Sequence, residues 1–343
     1  MNSLLCEYTE ESMSKKYGRI TLPLHKALQL ETEGKVKIIN KNDNILKVIS
    51  DYNKKTNDTV LKNRIDSKKK VAWVQDNSKT GGAEISNAYL RELGNQLGFY
   101  IELITPQKFD YSFLLTCDIV IINNFYEFEN EQYQKIYKVI YELRKPYIKY
   151  DHDHREVKRP HLSRQLFTLS KKNIFFSPAH EKLFYSSLGE HIKQHSIRLP
   201  VAIDINKYVN KNLQREKDSV LVPCLRKCLN NFKFYYEQNK NKKYTVILDG
   251  ISNIYRGEKE IKYLTRVNQD MMIDLYNAHE IVYHCPDTFW AGERVIFESV
   301  LCGCQYISND NAGHTSWNFN TDSIKVILSK ANYDFWKVVE KCL

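Results

Sequence analysis

VAWVQDNSKTGGAEISNAYLRELGNQLG (residues 71–98) is the stretch whose reading decides the fold. VAWVQD (71–76) is an apolar run closing on polar residues, which reads as a buried strand. GGAEISNAYLRELGNQLG then has helical spacing, with Ile85, Ala88, Tyr89, Leu93 and Leu97 predicted on one buried face. The unit is strand, turn, helix. Working outward, YIELIT (100–105), CDIVIIN (117–123), PYIKYDHD (146–153), NIFFSP (173–178) and HSIRLPVAI (195–203) read as further strands. EQYQKIYKVIYELR and HEKLFYSSLG read as helices between them. Strands alternating with helices imply a parallel sheet covered on both faces.

The rhythm restarts after KYVNKNLQREKD. DSVLVPCLR (218–226), KYTVILDG (243–250), HEIVYHCP (279–286) and CQYISND (304–310) read as strands. FKFYYEQNK, MMIDLYNA and ERVIFESVLCG (293–303) read as helices, and ANYDFWKVVEKCL as a closing amphipathic helix. The expected organisation is α/β throughout. Residues 1–68 form an N-terminal extension or extra strands of the first domain, 69–205 a first Rossmann-like domain, 206–330 a second, and 331–343 a helix. Within 1–68, GRITLPLHKALQLETEGKVKIIN reads as strand, short helix, strand.

Composition fits two folded domains. Apolar residues make up 42% and charged residues 27% of 343, which excludes disorder as the dominant state. No run of 18 apolar residues exists, and MNSLLCEYTEES lacks the basic start and apolar core of a signal peptide. A cytoplasmic location, peripheral to a membrane or to DNA, is expected. The eight cysteines contain no C-x-x-C pair and read as buried free thiols. Lys plus Arg exceed Asp plus Glu by 51 to 41, and this net +10 calls for an anionic partner: nucleic acid, membrane surface or nucleotide phosphate.

Four constellations could carry chemistry. In DNSKTGGAE (76–84), paired Gly81 and Gly82 let a backbone approach a ligand at a helix start rich in free N–H groups; a tight βα turn also calls for glycine. DHDHR (151–155) lies at the carboxyl end of a strand, where ligands of open α/β sheets bind. His152, Asp153 and His154 there suit sugar contact, proton transfer or a metal; H-x-H alone is a weak metal signal, and none is assigned. Arg226 and Lys227, with Lys233 behind them, could neutralise a diphosphate leaving group, although surface cations are abundant in this chain. In GERVIFESVLCG, Glu298 stands between apolar residues, so an inward carboxylate there needs a partner such as a ligand's hydroxyl pair.

Taken in order, these pieces resemble the GT-B glycosyltransferases, most closely family 4 of the retaining enzymes, over residues 70–343. The carriers are Gly81-Gly82-Ala83-Glu84, His152-Asp153 in PYIKYDHD, SPAHEKLF (177–184), LPVAIDINKYV (199–209) at the crossover, Arg226 with Lys227 or Lys233, and Glu298, Ser299 and Gly303. KYDHDHR is also similar to transferases common in phage genomes. The family's E-x7-E motif ends at Glu298, but Trp290 stands where its first Glu is expected, and Ala202 and Pro223 replace glycines. The chain resembles a divergent member.

The resemblance implies two Rossmann-like domains facing a cleft and a retaining transferase that needs no metal. Its co-substrate would be a UDP- or GDP-sugar. His152, Arg226 and Lys227 would be catalytic. Gly81, Gly82, Lys233, Glu293, Arg294 and Glu298 would hold the donor; either Glu293 takes over part of the missing role, or Arg294 marks a different grip on sugar or phosphate. Asp153, His154 and Glu84 would meet the sugar or acceptor, and the last helix would cross back to the first domain. The acceptor is expected to be a carbohydrate, a membrane lipid-linked glycan or a small molecule. An alternative is a modified base in duplex DNA, and a third, of another class, a non-catalytic sugar- or nucleic-acid-binding protein of GT-B shape.

Overall fold

The computed structural model describes residues 68–75, 81–105, 111–123, 131–152, 154–158, 160–248, 250, 258, 260–265 and 267–343, together with three strands before residue 68. The chain forms two compact units, 1–68 and 69–343. In the first, β1 (Ser3–Tyr8) pairs antiparallel with β2 (Arg19–Pro23) and β3 (Val36–Ile38). The two later strands fall where the sequence puts them; β1 was not foreseen, and the expected helix between β2 and β3 lies outside the described residues.

The second unit holds two sheets. The first is built from β4 (Lys70–Val74), α1 (Gly82–Gln96), β5 (Tyr100–Ile104), α2 (Tyr111–Thr116), β6 (Ile119–Asn123), α3 (Glu131–Glu142), β7 (Tyr147–Tyr150), α4 (Pro160–Leu169), β8 (Lys172–Phe175), α5 (Pro178–Leu188) and β9 (Ser196–Arg198). Its strands run in the order β5-β4-β6-β7-β8-β9, all parallel. The second contains β10 (Glu216–Val222), α6 (Leu225–Gln238), β11 (Lys243–Ile247), β12 (Ile261–Leu264), α7 (Gln269–Ala278), β13 (His279–His284), α8 (Arg294–Leu301) and β14 (Gln305–Ser308). Its parallel order is β12-β11-β10-β13-β14.

The central strands are continuous apolar runs because both faces of each sheet are covered. In β4, Val71 and Trp73 enter one core while Ala72 and Val74 enter another on the opposite face. The last helix, α9 (Ile324–Cys342), follows the second sheet in sequence but packs on the first. Trp336 donates its indole N–H to the Leu90 carbonyl at 2.9 Å, and Phe335 lies 5.8 Å from the Trp73 ring. Gly94 makes room for this crossing: a Cβ there would lie 2.1 Å from Trp336 Cζ2. Part of KYVNKNLQREKD (207–218), the polar stretch between the two rhythms, is fixed to the second sheet, where Arg215 donates to the Tyr276 and His279 carbonyls and β10 already begins.

Several expectations need correction. The buried face of α1 is Ser86, Asn87, Leu90, Leu93 and Gly94, whereas Ala88 and Leu97 are exposed. The helix turns its small polar residues inward because they serve hydrogen bonds, not a hydrocarbon core. The strand read as 218–226 ends at Val222; Pro223 donates no N–H to continue a ladder, and Leu225, Arg226 and Lys227 open α6. The strand read as 146–153 ends at Tyr150. The seven described cysteines are free, and five are buried.

Candidate active site

Each sheet has one point where neighbouring strands leave in opposite directions, and ligands bind outside the carboxyl ends of strands there. In the first sheet this point lies between β4 and β6; in the second, between β10 and β13. Both open on one cleft of about 530 Å³. The first sheet contributes Gly81–Ile85 and His152, and the second contributes Pro223, Cys224, Arg226, Lys227 and Trp290–Val295 without Ala291. Gln269, Met272 and Tyr276 of α7 and Glu298 of α8 also line it, with Tyr208, Val267 and Asn268.

The acidic and basic groups of this cleft are organised in pairs. Glu298 is buried: Oε1 accepts from Arg294 Nε at 2.7 Å and Oε2 from the Tyr276 hydroxyl at 3.0 Å. Each carboxylate oxygen keeps a second lone pair, so Glu298 arrives oriented and still able to accept. Arg294 then reaches across the cleft. Its Nη1 donates to Ser86 Oγ at 2.6 Å and to the Ala202 carbonyl at 3.3 Å, and Nη2 approaches the Tyr208 hydroxyl at 3.3 Å. Its stem lies against Gly82, where a Cβ would sit 3.1 Å from Arg294 Cδ. One guanidinium thus ties α8 to the helix that follows the glycine turn.

Lys227 and Glu293 form the second pair, at 2.7 Å. Glu293 is buried, and its other oxygen lies 2.8 Å from His284 Nε2. Burial alone would raise its carboxyl pKa, but Lys227 and His284 outweigh that and hold it well below the usual range. Burial also works against the Lys227 ammonium; the Glu293 charge overcomes this and raises it. The ammonium sits 3.9 Å from the centroid of the Trp290 ring.

His152 is positioned by a relay of amides. Asn123 ends β6 and donates to the Tyr150 carbonyl at 2.6 Å and to Asn87 Oδ1 at 3.2 Å. Asn87 Oδ1 therefore accepts, and His152 Nε2, 3.0 Å away, is the donor. The imidazole lies 4.4 Å from the Phe176 ring. Burial, then the charge of Arg294, pushes its pKa well below the ordinary value, so the ring is neutral near pH 7. A neutral imidazole held in this way is placed at the cleft with its orientation set before any ligand arrives.

The cleft therefore gathers nine of the residues singled out in the sequence: Gly81, Gly82, Glu84, His152, Arg226, Lys227, Glu293, Arg294 and Glu298. Glu84 also caps α1, accepting the Gly81 N–H at 2.8 Å. Lys233 is exposed two turns further along α6 and is outside the cleft lining. His154 is also outside it, packed edge-on against Phe289 and Trp290, and Asp153 lies outside the described residues. Sequence reading missed Ser86, Asn87, Asn123, Tyr276 and His284. The available signal was two asparagines and a serine at positions where the pattern calls for apolar side chains. Among the described residues no group of three or more His, Cys, Asp or Glu could hold a metal ion, and no helix is long and apolar enough to cross a membrane.

No protein-family model and no curated protein sequence matches the chain. Solved structures do match its architecture. HepE of Anabaena, in complex with UDP and glucose, is 16% identical, with 78% of this chain and 91% of that one covered and a TM-score of 0.56. The lipopolysaccharide outer core galactosyltransferase WaaB is 12% identical, with 80% and 100% covered and a TM-score of 0.56. An alpha-glucosyltransferase in complex with UDP and a 13-mer DNA containing a HMU base is 12% identical, with 78% and 90% covered and a TM-score of 0.55. The fold these proteins share with the chain is GT-B: two parallel-sheet α/β domains facing one cleft.

Proposed function

We propose that the protein is a glycosyltransferase that moves a sugar from a nucleotide-sugar donor to a carbohydrate, lipid-linked or small acceptor. The observation that carries this reading is the meeting of both switch points on one cleft, with Arg226 and Lys227 at the start of α6 and Glu298 held across from them. The nucleotide would lie against the second sheet, its ribose hydroxyls donating to Glu298. The structural neighbour solved with UDP and glucose supports a UDP-sugar.

In the reaction the bond from the sugar's anomeric carbon to the phosphate oxygen breaks and one to the acceptor oxygen forms. Negative charge grows on the departing diphosphate, and the acceptor's proton leaves with that group. Arg226, Lys227 and the N–H groups opening α6 would stabilise this developing charge, and Lys227 is already held by Glu293. His152 contacts the sugar from the first sheet as a neutral group. The paired Gly81-Gly82 turn lines the cleft, its missing Cβ atoms making room for the Glu84 and Arg294 side chains, and would present its backbone to the acceptor or diphosphate. Retention of configuration and independence of metal follow from the resemblance to family 4.

A thermal-shift screen with UDP-, GDP-, ADP- and TDP-sugars identifies the donor, because ligand binding raises apparent stability. With it, Arg226→Ala and Glu298→Gln are expected to lower transfer by about 100-fold each, the scale of losing one charge-stabilising group. Gln at 298 keeps the side chain's size and avoids deleting the whole partner of Arg294. Full turnover in both variants sinks the assignment. EDTA is expected to leave the rate unchanged.

A further inference from the structure

Trp290 occupies the position where the resemblance leads to a carboxylate, and the fold holds it with care. Its backbone N–H donates to the Asn311 carbonyl and its carbonyl accepts the Gly313 N–H, both at 2.8 Å. The indole face carries Lys227 Nζ at 3.9 Å from the ring centroid. Behind the ammonium stands Glu293 at 2.7 Å, itself braced by His284 at 2.8 Å. The Lys227 carbonyl accepts the Asp287 N–H at 2.7 Å, so the backbone is fixed as well.

An ammonium has three N–H donors. Glu293 takes one and the π face attracts a second, which leaves the third for the cleft that Lys227, Trp290 and Glu293 line together. A free lysine loses rotamer entropy on being immobilised; here Glu293 and the indole already hold the side chain. The choice of an indole also has an electrostatic reason. A carboxylate at 290 would place two negative groups around one ammonium and repel an incoming phosphate. The indole holds the cation through its quadrupole and adds no charge.

We propose that Trp290 is a positioning residue: its indole face, with the Glu293–His284 pair behind, aims Lys227 as the phosphate-binding cation of the cleft. The identity of the phosphate as a nucleotide-sugar diphosphate rests on the transferase reading; the clamp itself does not.

The test replaces Trp290 site-specifically with mono-, di- and trifluorinated tryptophan, which keeps the ring's shape while draining its face of negative potential. Affinity for inorganic pyrophosphate and for UDP is measured by calorimetry in the full-length protein. Stepwise weakening is expected, about tenfold across the series, and Lys227→Met should weaken pyrophosphate at least as much. A flat series overturns the proposal, because a merely structural tryptophan would not respond to fluorination. So does undiminished pyrophosphate binding by Lys227→Met, or wild-type protein that binds neither probe. A graded series in a protein that transfers sugar from no nucleotide sugar retires the transferase reading and leaves the clamp standing.

Discussion

His314 shows how a single buried group reports on the site. It is the second residue of a short 3-10 helix (Gly313–Trp317), with Nδ1 against the Glu293 carbonyl and its ring 4.3 Å from Phe297. Burial lowers its pKa to about 4, although the Glu293 carbonyl and charge work in the opposite direction. A histidine titrates near 6.5 when unfolded, so the unfolded chain takes up this proton first as the pH falls. The stabilisation from a neutral His314 is complete above about 6.5 and is lost as the pH drops toward about 4. His314→Asn keeps an N–H donor and removes the titration. Urea midpoints at pH 7 and pH 4.5 should therefore differ less in the variant, by about 2–3 kcal/mol of unfolding free energy. Equal acid sensitivity in both proteins would refute a neutral buried imidazole. This coupling was not legible in the sequence, where 21 positions separate His314 from Glu293. The same limit applies to Trp290: the missing carboxylate was visible by spacing, but the lysine on its face comes from a helix 63 positions earlier.

At the scale of elements, strong periodicity was readable and short or half-exposed elements were not. β4 and β6 were evident because they are buried and almost wholly apolar, and β7, β10 and β13 because each holds an apolar segment, Tyr147–Ile148, Val220–Val222 and Ile281–Tyr283. The six-residue α2, α4 with Pro160 at its first position, and β12, with Lys262 exposed, have no such run and were missed. The face of α1 was misread for a related reason. A helix is expected to bury its largest apolar residues, yet Gly94 is buried so that Trp336 of α9 can lie against it. No rotamer relieves a Cβ placed 2.1 Å from an indole carbon. Gly94→Ala is therefore expected to destabilise the protein by about 1–3 kcal/mol, the scale of overpacking a filled core, despite alanine's better helix propensity. Adding Trp336→Leu should recover part of that loss, in a double-mutant cycle read by denaturant unfolding. Additive losses would place the Gly94 effect elsewhere than in the α1–α9 contact.

The whole molecule's charge bears on the acceptor. The net +10 divides into +4 over residues 1–68 and +6 over 69–343, so the shorter unit carries the denser excess. Within 69–343 many surface cations stand beside carboxylates: Lys138 with Glu142, Lys207 with Asp270, Lys211 with Asp274, Lys240 with Glu237 and Lys243 with Glu216. In the cleft, Lys227 and Arg294 are paired too, and Arg226 is exposed. A duplex-binding face presents a basic patch or stripe that follows phosphates, and its affinity falls steeply with salt. Interspersed pairs of opposite sign give a weak field instead. On these pairs among the described residues we propose a carbohydrate, lipid-linked or small acceptor ahead of DNA, although one structural neighbour was solved with a 13-mer DNA. Retention of duplex DNA on filters is accordingly expected to be weak and to vanish near 150 mM salt, for plain duplexes and for duplexes carrying a hydroxymethylated base alike. Tight, base-dependent retention that survives at that salt would transfer the proposed acceptor to DNA and leave the proposed donor site unchanged, because the roles proposed for Arg226, Lys227 and Glu298 concern the leaving diphosphate and the nucleotide, whatever receives the sugar.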